Sequence, residues 1–567
     1  MNDYADYIIR NGRFYTEESH NPHAEVVAIK GEKFIFVGKQ RDFQEEEYKG
    51  PDTKLIDLGG KAVIPGMIDG HVHPEGIATT GWRYALPDTD DVEELLGYVK
   101  EYCDAHPPEE VPFVFASSYP VEMFDEKGPK KELLDKYVSD RPVKIEDFTG
   151  HGCWYNSKAL ELMGITAEVP ETGKAPFFIR DEKNEPTGWV REPIPLNPKE
   201  EALFDKIGWH PPKQATEENV MPFLQFLNEH GIICILDGIT EGENGMKLFY
   251  DLDMQGKLNM YYEGTCQLLS LDGLDECIRT IREWQKKYTS KHVGIHTVKF
   301  FLDGTNEIGN SASLEPHYND PEGKNYGEMN MSREELTELL LRLNEEKLDL
   351  HIHVVGDRGF RTACDAYEEA LEQTKKAGKE WNIYMELAHC ELVHPDDMKR
   401  PAELGIIINW SCHWAGGYFG EAAIDYLGQA RWNTMYDFTE MIRSGSVVTF
   451  SSDVLTSGEA YRANPFLGME ISATRVDPDL PLDGNKYPGS VRPPEKAKLT
   501  VEEMVKGYTI DGAVPFRFQD KMGSIEVGKQ ANLVVLNDDI FTIEPDRLHQ
   551  VEALMVMFEG NIICNKM

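Results

Sequence analysis

The chain has 567 residues, with 99 Asp plus Glu against 58 Lys plus Arg, for a formal charge of −41. That balance argues against nucleic acid and anionic membrane as partners, because both are held by clustered Lys and Arg. Hydrophobic residues at 41% and aromatics at 10% exclude a disordered chain and supply a large core.

The opening Met1-Asn2-Asp3-Tyr4-Ala5-Asp6 has neither the basic start nor the apolar run of a secretory signal. No stretch reaches the roughly 18 consecutive apolar residues of a membrane helix. The nine cysteines are scattered with no CxxC pair, which points to a reducing, cytoplasmic compartment.

Residues up to about 60 read as strands and turns. Tyr7-Ile8-Ile9-Arg10, the turn signal Asn11-Gly12 and Arg13-Phe14-Tyr15-Thr16 predict a hairpin. Val26–Ile29 and Phe34–Val37, flanking Lys30-Gly31-Glu32-Lys33, predict a second. The C-terminus reads alike, with strands at Ala531–Leu536, Ala553–Met557 and Ile562–Cys564. Each end is too small for a core of its own, so residues 1–61 and 492–567 are expected to form one composite β-sandwich.

Between them, apolar runs alternate with helical stretches, the pattern of a parallel βα architecture. Eight candidate strands begin near 62, 232, 260, 297, 350, 383, 406 and 447. Ser332-Arg333-Glu334-Glu335 is a capping box opening one of the intervening helices. The expected fold class is α/β, a TIM-type (β/α)8 barrel over 62–491 whose site lies at the C-terminal strand ends. About 160 residues separate the first two strands, more than one crossover needs, so an insertion is expected at about 85–205.

The candidate chemistry sits at those strand ends. His71 and His73 are two apart in extended chain and can turn to one metal ion. His353, His389 and Asp453 each end a later apolar run. Imidazole and carboxylate ligands of this kind suit zinc, manganese or iron. His351 shares the parity of His353 one layer deeper and reads as a satisfied core histidine. Lys299 stands within the strand Val298-Lys299-Phe300, where burial would depress its pKa and leave a nucleophilic amine. Such an amine can take up carbon dioxide as a metal-bridging carbamate; a buried salt bridge with Asp303 or Asp357 is the alternative. The long loop from Asp303 to Tyr326 is expected to cover the site.

Gly66-Met67-Ile68-Asp69-Gly70-His71-Val72-His73, Val298–Gly304, His353–Arg358, Gly523–Leu533 and His151–Leu160 together resemble amidohydrolase family 3 of the amidohydrolase superfamily, the branch that includes the N-substituted formamide deformylases. The resemblance spans nearly the whole chain. It implies one or two divalent metals per chain, zinc foremost. His71, His73 and Asp453 would hold the more buried ion and His353 and His389 the second, with a carboxylated Lys299 between them. Asp453 would also be the catalytic base. The implied activity is cleavage of a carbon–nitrogen bond (amide, N-formyl or N-acyl) in a small molecule by metal-activated hydroxide, outside peptide chemistry. A mononuclear deaminase or cyclic-amide hydrolase is the alternative, and a non-catalytic scaffold a third reading. Barrels of the family are often dimers, which allows a homodimer here. The sequence departs from the branch at Leu387-Ala388-His389-Cys390 and at Asn409–Trp414, which bears on the substrate. Candidate substrate-binding residues are His151, Asn156, Trp410 and His413.

Overall fold

Pro65 and Gly66 divide the chain between two sheets. Ala62–Pro65, expected as the first barrel strand, instead pairs in parallel with Tyr7–Tyr15 and antiparallel with Leu533–Leu536. The first barrel strand is Met67–Val72. Proline has no N–H to continue a ladder, and a Cβ on Gly66 would press to 2.6 Å of Ile233, so the direction changes there. The computed structural model describes residues 4–567 other than 88, 90, 148–149, 170–177, 194–195, 213 and 418–420.

Both chain ends build one eight-stranded sheet, in which Ala553–Phe558 and Asn561–Asn565 extend the edge beyond Leu533–Leu536. Its core mixes N-terminal Ile9, Phe14, Val27 and Phe34 with C-terminal Leu533, Val535, Met555 and Met557. Asn11-Gly12 is not a hairpin turn. Tyr7–Tyr15 is one strand with a bulge between Arg10 and Phe14, and both halves pair with His23–Lys30. Asn11 takes φ 56°, the left-handed backbone that a bulge uses as readily as a turn does. The second hairpin forms as expected, His23–Lys30 against Lys33–Gly38.

The barrel strands are Met67–Val72, Ile232–Asp237, Tyr261–Leu268, Val293–Phe301, Asp349–Val354, Met385–His389, Ile407–Ser411 and Val448–Ser451, all parallel and in sequence order. Strand eight meets strand one where the Asp453 N–H donates to the His71 carbonyl at 2.8 Å. Helices pack outside; Arg333–Glu346 starts with the expected capping box, Ser332 Oγ accepting from the Glu335 N–H and Glu335 Oε2 from the Ser332 N–H. None of the described helices is long and apolar enough to cross a membrane.

The long segment between barrel strands one and two carries a third sheet of six strands, from Tyr84–Ala85 to Pro186–Arg191. Two apolar clusters flank it, one around Phe113 and Tyr155 and one around Leu96 and Trp154.

Candidate metal centre and active site

The site begins with register across strands four, five and six. Lys299 lies opposite His351, and His351 opposite Glu386. This polar row is one layer below His353 and His389, whose neighbours are Phe301 and Val354 respectively. Alternation on each strand turns the whole row inward.

His351 is buried and satisfied, as a core histidine should be, but its partners give it a second role. Its Nδ1 is 2.8 Å from Glu386 Oε2 and its Nε2 is 2.8 Å from His71 Nδ1. With the carboxylate as terminal acceptor, the chain assigns a proton to Nδ1 of both rings, which leaves His71 Nε2 with a free lone pair. His351 thereby positions His71. Replacing it with asparagine is expected to weaken metal binding by about 10- to 100-fold while the fold survives. Competition with a chromophoric chelator measures this; unchanged affinity would remove His351 from the role.

The freed His71 Nε2 lies 3.2 Å from His73 Nε2. Asp453 Oδ1 is 3.4 Å from the first and 3.3 Å from the second. Asp453 Oδ2 is 3.3 Å from His389 Nδ1, yet that nitrogen is buried and not aligned for a hydrogen bond with any described residue. One ligand atom each from His71, His389 and Asp453 falls within 4.8 Å of the others. Lone pairs crowded this closely with no proton between them suit a divalent cation held by nitrogen and oxygen. Burial holds His71, His353 and His389 well below the usual imidazole range, aided by neighbouring charge from Lys299 or other histidines, so the rings are neutral as ligands must be.

Backbone strain places two of these groups. His389 has φ 76°, Cys390 φ 46° and Asp453 φ 50°. Left-handed backbone at residues other than glycine costs about 1–3 kcal/mol and clusters where function demands it. Asp69, from the glycine-rich motif, fixes the adjoining strand ends by accepting from the His71 N–H, the Ser452 N–H and Ser452 Oγ. Gly238 ends strand two against the pair of histidines; a Cβ there would lie 2.4 Å from His71 Nε2.

Lys299 is buried, its amine 4.9 Å from the centre of the Phe301 ring. Neither salt-bridge candidate reaches it. Asp303 accepts from the N–H groups of Ala312, Val355 and Gly356, and Asp357 from that of Leu314. Burial pushes the Lys299 amine down to about 7 against the pull of Asp453 and Glu386.

A cavity of about 340 Å³ opens over this centre, lined by His71, His73, Lys299, His353, His389 and Asp453. His353 Nε2 points at the Gly304 carbonyl, 3.3 Å away, and its ring is 4.6 Å from that of His389. His151 and His413 line the cavity. Burial opposes a proton on His151, but the Glu192 carboxylate 3.0 Å away outweighs it and raises the ring to about 9. Burial and Arg462 instead hold His413 well below its usual value. Trp414 stacks on His389 with 14° between the planes. Thr305 and Glu307 bring the loop after strand four to the wall.

Asn156 and Trp410 lie elsewhere. Asn156 Oδ1 accepts from the N–H groups of Val143 and Ala159, and its Nδ2 donates to the carbonyls of Val138 and Arg141. It caps helix Ser157–Met163 and has no polar atom to spare for a ligand. Trp410 is fully buried and stacks on Phe438 at 4.2 Å. Cys153 and Trp154 join the cores of the inserted sheet. Among the cavity residues that the sequence did not single out, the charged ones are Glu192, Glu307, Glu391 and Glu459, with Arg462 beside them, set among apolar Leu86, Ile239, Phe301, Leu455 and Leu480.

A family model described as "Amidohydrolase family" matches residues 54–564. The chain belongs to this family. Amidohydrolases of the family are metal-dependent, in keeping with the clustered histidines and Asp453. Relatives at low identity include the exoenzymes regulatory protein AepA of Pectobacterium carotovorum subsp. carotovorum, 25% identical over 80% of this chain and 95% of that protein. The N-substituted formamide deformylase of Arthrobacter pascens is 23% identical over 99% of this chain and 98% of its own. An uncharacterized metal-dependent hydrolase from Pyrococcus horikoshii OT3 shares the fold, with a TM-score of 0.66 at 20% identity over 95% of this chain and 99% of that one.

Proposed function

We propose that this amidohydrolase cleaves the carbon–nitrogen bond of an amide, N-formyl or N-acyl small molecule in the cytoplasm, outside peptide chemistry. One observation carries the reading: acceptor atoms of His71, His73, His389 and Asp453 converge in the wall of one cavity that the buried Lys299 also lines. His71, His73 and Asp453 would hold one zinc ion and His353 and His389 a second, with Lys299 as a carbamate between them. Ions bound there would make a water acidic and polarise the substrate carbonyl.

The chain's own groups do the rest. Asp453 takes the proton of the attacking water and returns it to the leaving amine, acting as base and then acid. Glu386 and His351 keep His71 in the ligating tautomer. Trp414 keeps the His389 ring in plane and, with the loop from Asp303 to Tyr326, keeps bulk water away. A full-length relative named as an N-substituted formamide deformylase supports the choice of bond. A homodimer, with neither nucleic acid nor membrane as partner, completes the proposal.

The test is a screen of N-formyl and N-acyl amines with zinc-loaded protein, followed by amine release. Turnover of at least one, lost on chelation and regained with zinc, is the expected result; hydrolysis of aminated purines or cyclic amides alone would move the chain to the deaminase or cyclic-amide reading.

A further inference from the structure

Resting on the amide-hydrolase reading, we infer that the substrate carries a second, cationic nitrogen, and that Glu307 with Glu391 receives it. Glu307 comes from the loop after strand four, and Glu391 follows strand six by two residues. Both line the cavity, at 4% and 3% exposure. Glu391 Oε2 accepts from Asn306 Nδ2 at 2.9 Å. Glu307 Oε1 is buried and accepts from none of the described residues. A buried carboxylate oxygen without a donor is costly unless a partner arrives.

The surroundings do not supply that partner. Arg492 is the cation whose field reaches both carboxylates; its guanidinium lies 4.5 and 4.8 Å from the ring centres of Trp432 and Tyr436 and donates to the Gly417 carbonyl. His151 is engaged by Glu192. Burial pushes the Glu307 carboxyl up against the pull of Arg492 and His151. Of the acidic groups lining the cavity, Glu192 is paired with His151 and Asp453 belongs to the metal set, which leaves Glu307, Glu391 and Glu459. Arg462 pairs with the buried Asp477 through Nη2, while its Nε and Nη1 make no hydrogen bond with any described residue. An ammonium or amidinium group at the end of the substrate remote from the scissile bond would bring the missing donors, and charge-assisted bonds are the stronger kind.

The test uses the full chain purified with zinc. N-formylcadaverine and N-formylhexylamine have the same length and end in ammonium or methyl. The first is expected to show about tenfold higher kcat/KM, and Glu307→Gln to bring the ratio to about one. Titration calorimetry with benzylammonium and benzyl alcohol is read alongside, with about tenfold tighter binding of the cation expected in the wild type and none in Glu307→Gln. If that variant does not fold, Glu391→Gln takes its place. Equal binding of the two probes, or a preference that survives the substitution, overturns the inference. Failure to hydrolyse either formamide counts against the amide-hydrolase reading instead, and the calorimetry still decides this one.

Discussion

Asp453→Asn retains its metal and loses turnover by about a thousandfold or more, as expected for removal of a group acting as base and acid in one cycle. Asparagine keeps the side chain's shape and one oxygen near the imidazoles, so the donor set that Asp453 shares with His71, His73 and His389 is only weakened. It cannot shuttle a proton. The left-handed backbone at Asp453 fixes where that side chain points, and asparagine tolerates the same conformation better than most residues, so a folding defect is not the expected cause of the loss. Elemental analysis and steady-state kinetics on one preparation separate the outcomes. Retained activity would end the assignment of Asp453 as base; lost metal would make it primarily a ligand.

Protein stripped of metal and carbon dioxide recovers activity only when bicarbonate is supplied with zinc, if Lys299 is carboxylated. The reacting form is the neutral amine, whose nitrogen attacks the carbon of carbon dioxide and sheds a proton. Burial lowers the amine to about 7, so it is mostly neutral above that pH and mostly ammonium below it. Recovery therefore slows as pH falls through about 7, whereas an ordinary exposed lysine would remain protonated across this range. Lys299→Met removes both the recovery and one of the two metals, with activity down about a hundredfold or more. Full recovery without bicarbonate, with one metal per chain, would favour the mononuclear alternative.

The candidate metal-site residues stand out in the sequence because each ends an apolar run, and strand ends of a barrel converge whatever the loops do. Lys299 stood out since a lysine between Val298 and Phe300 has no ordinary reason to be there. The errors came where one local signal serves two purposes. Asn11-Gly12 supplies left-handed backbone to a bulge as well as to a turn. Asn156 before Ser157-Lys158-Ala159-Leu160 reads as a helix cap as well as a polar residue in an insertion motif, and the cap is what formed. Trp410 has the parity of a residue facing the packed helices rather than the cavity, while His413 and Trp414, past the strand end, reach it. Glu307 and Glu391 could not be found from spacing, since the loop from Asp303 and the end of strand six meet only in three dimensions. The charge of −41 pointed away from nucleic acid but said nothing of where the negative groups gather; several gather in the cavity.

The sheet shared by both chain ends imposes a timetable on synthesis. Ala62–Pro65 leaves the ribosome early, yet its antiparallel neighbour Leu533–Leu536 emerges roughly 470 residues later. At about 5–20 residues per second, that edge waits on the order of half a minute or more with unpaired N–H and C=O groups. During the same interval the barrel strands arrive in order beside one another, so the barrel can close first and hold Met67 and what precedes it in place. The C-terminal strands then dock onto a template already anchored, and a chaperone that shields the early edge would be engaged for nearly the whole length of translation.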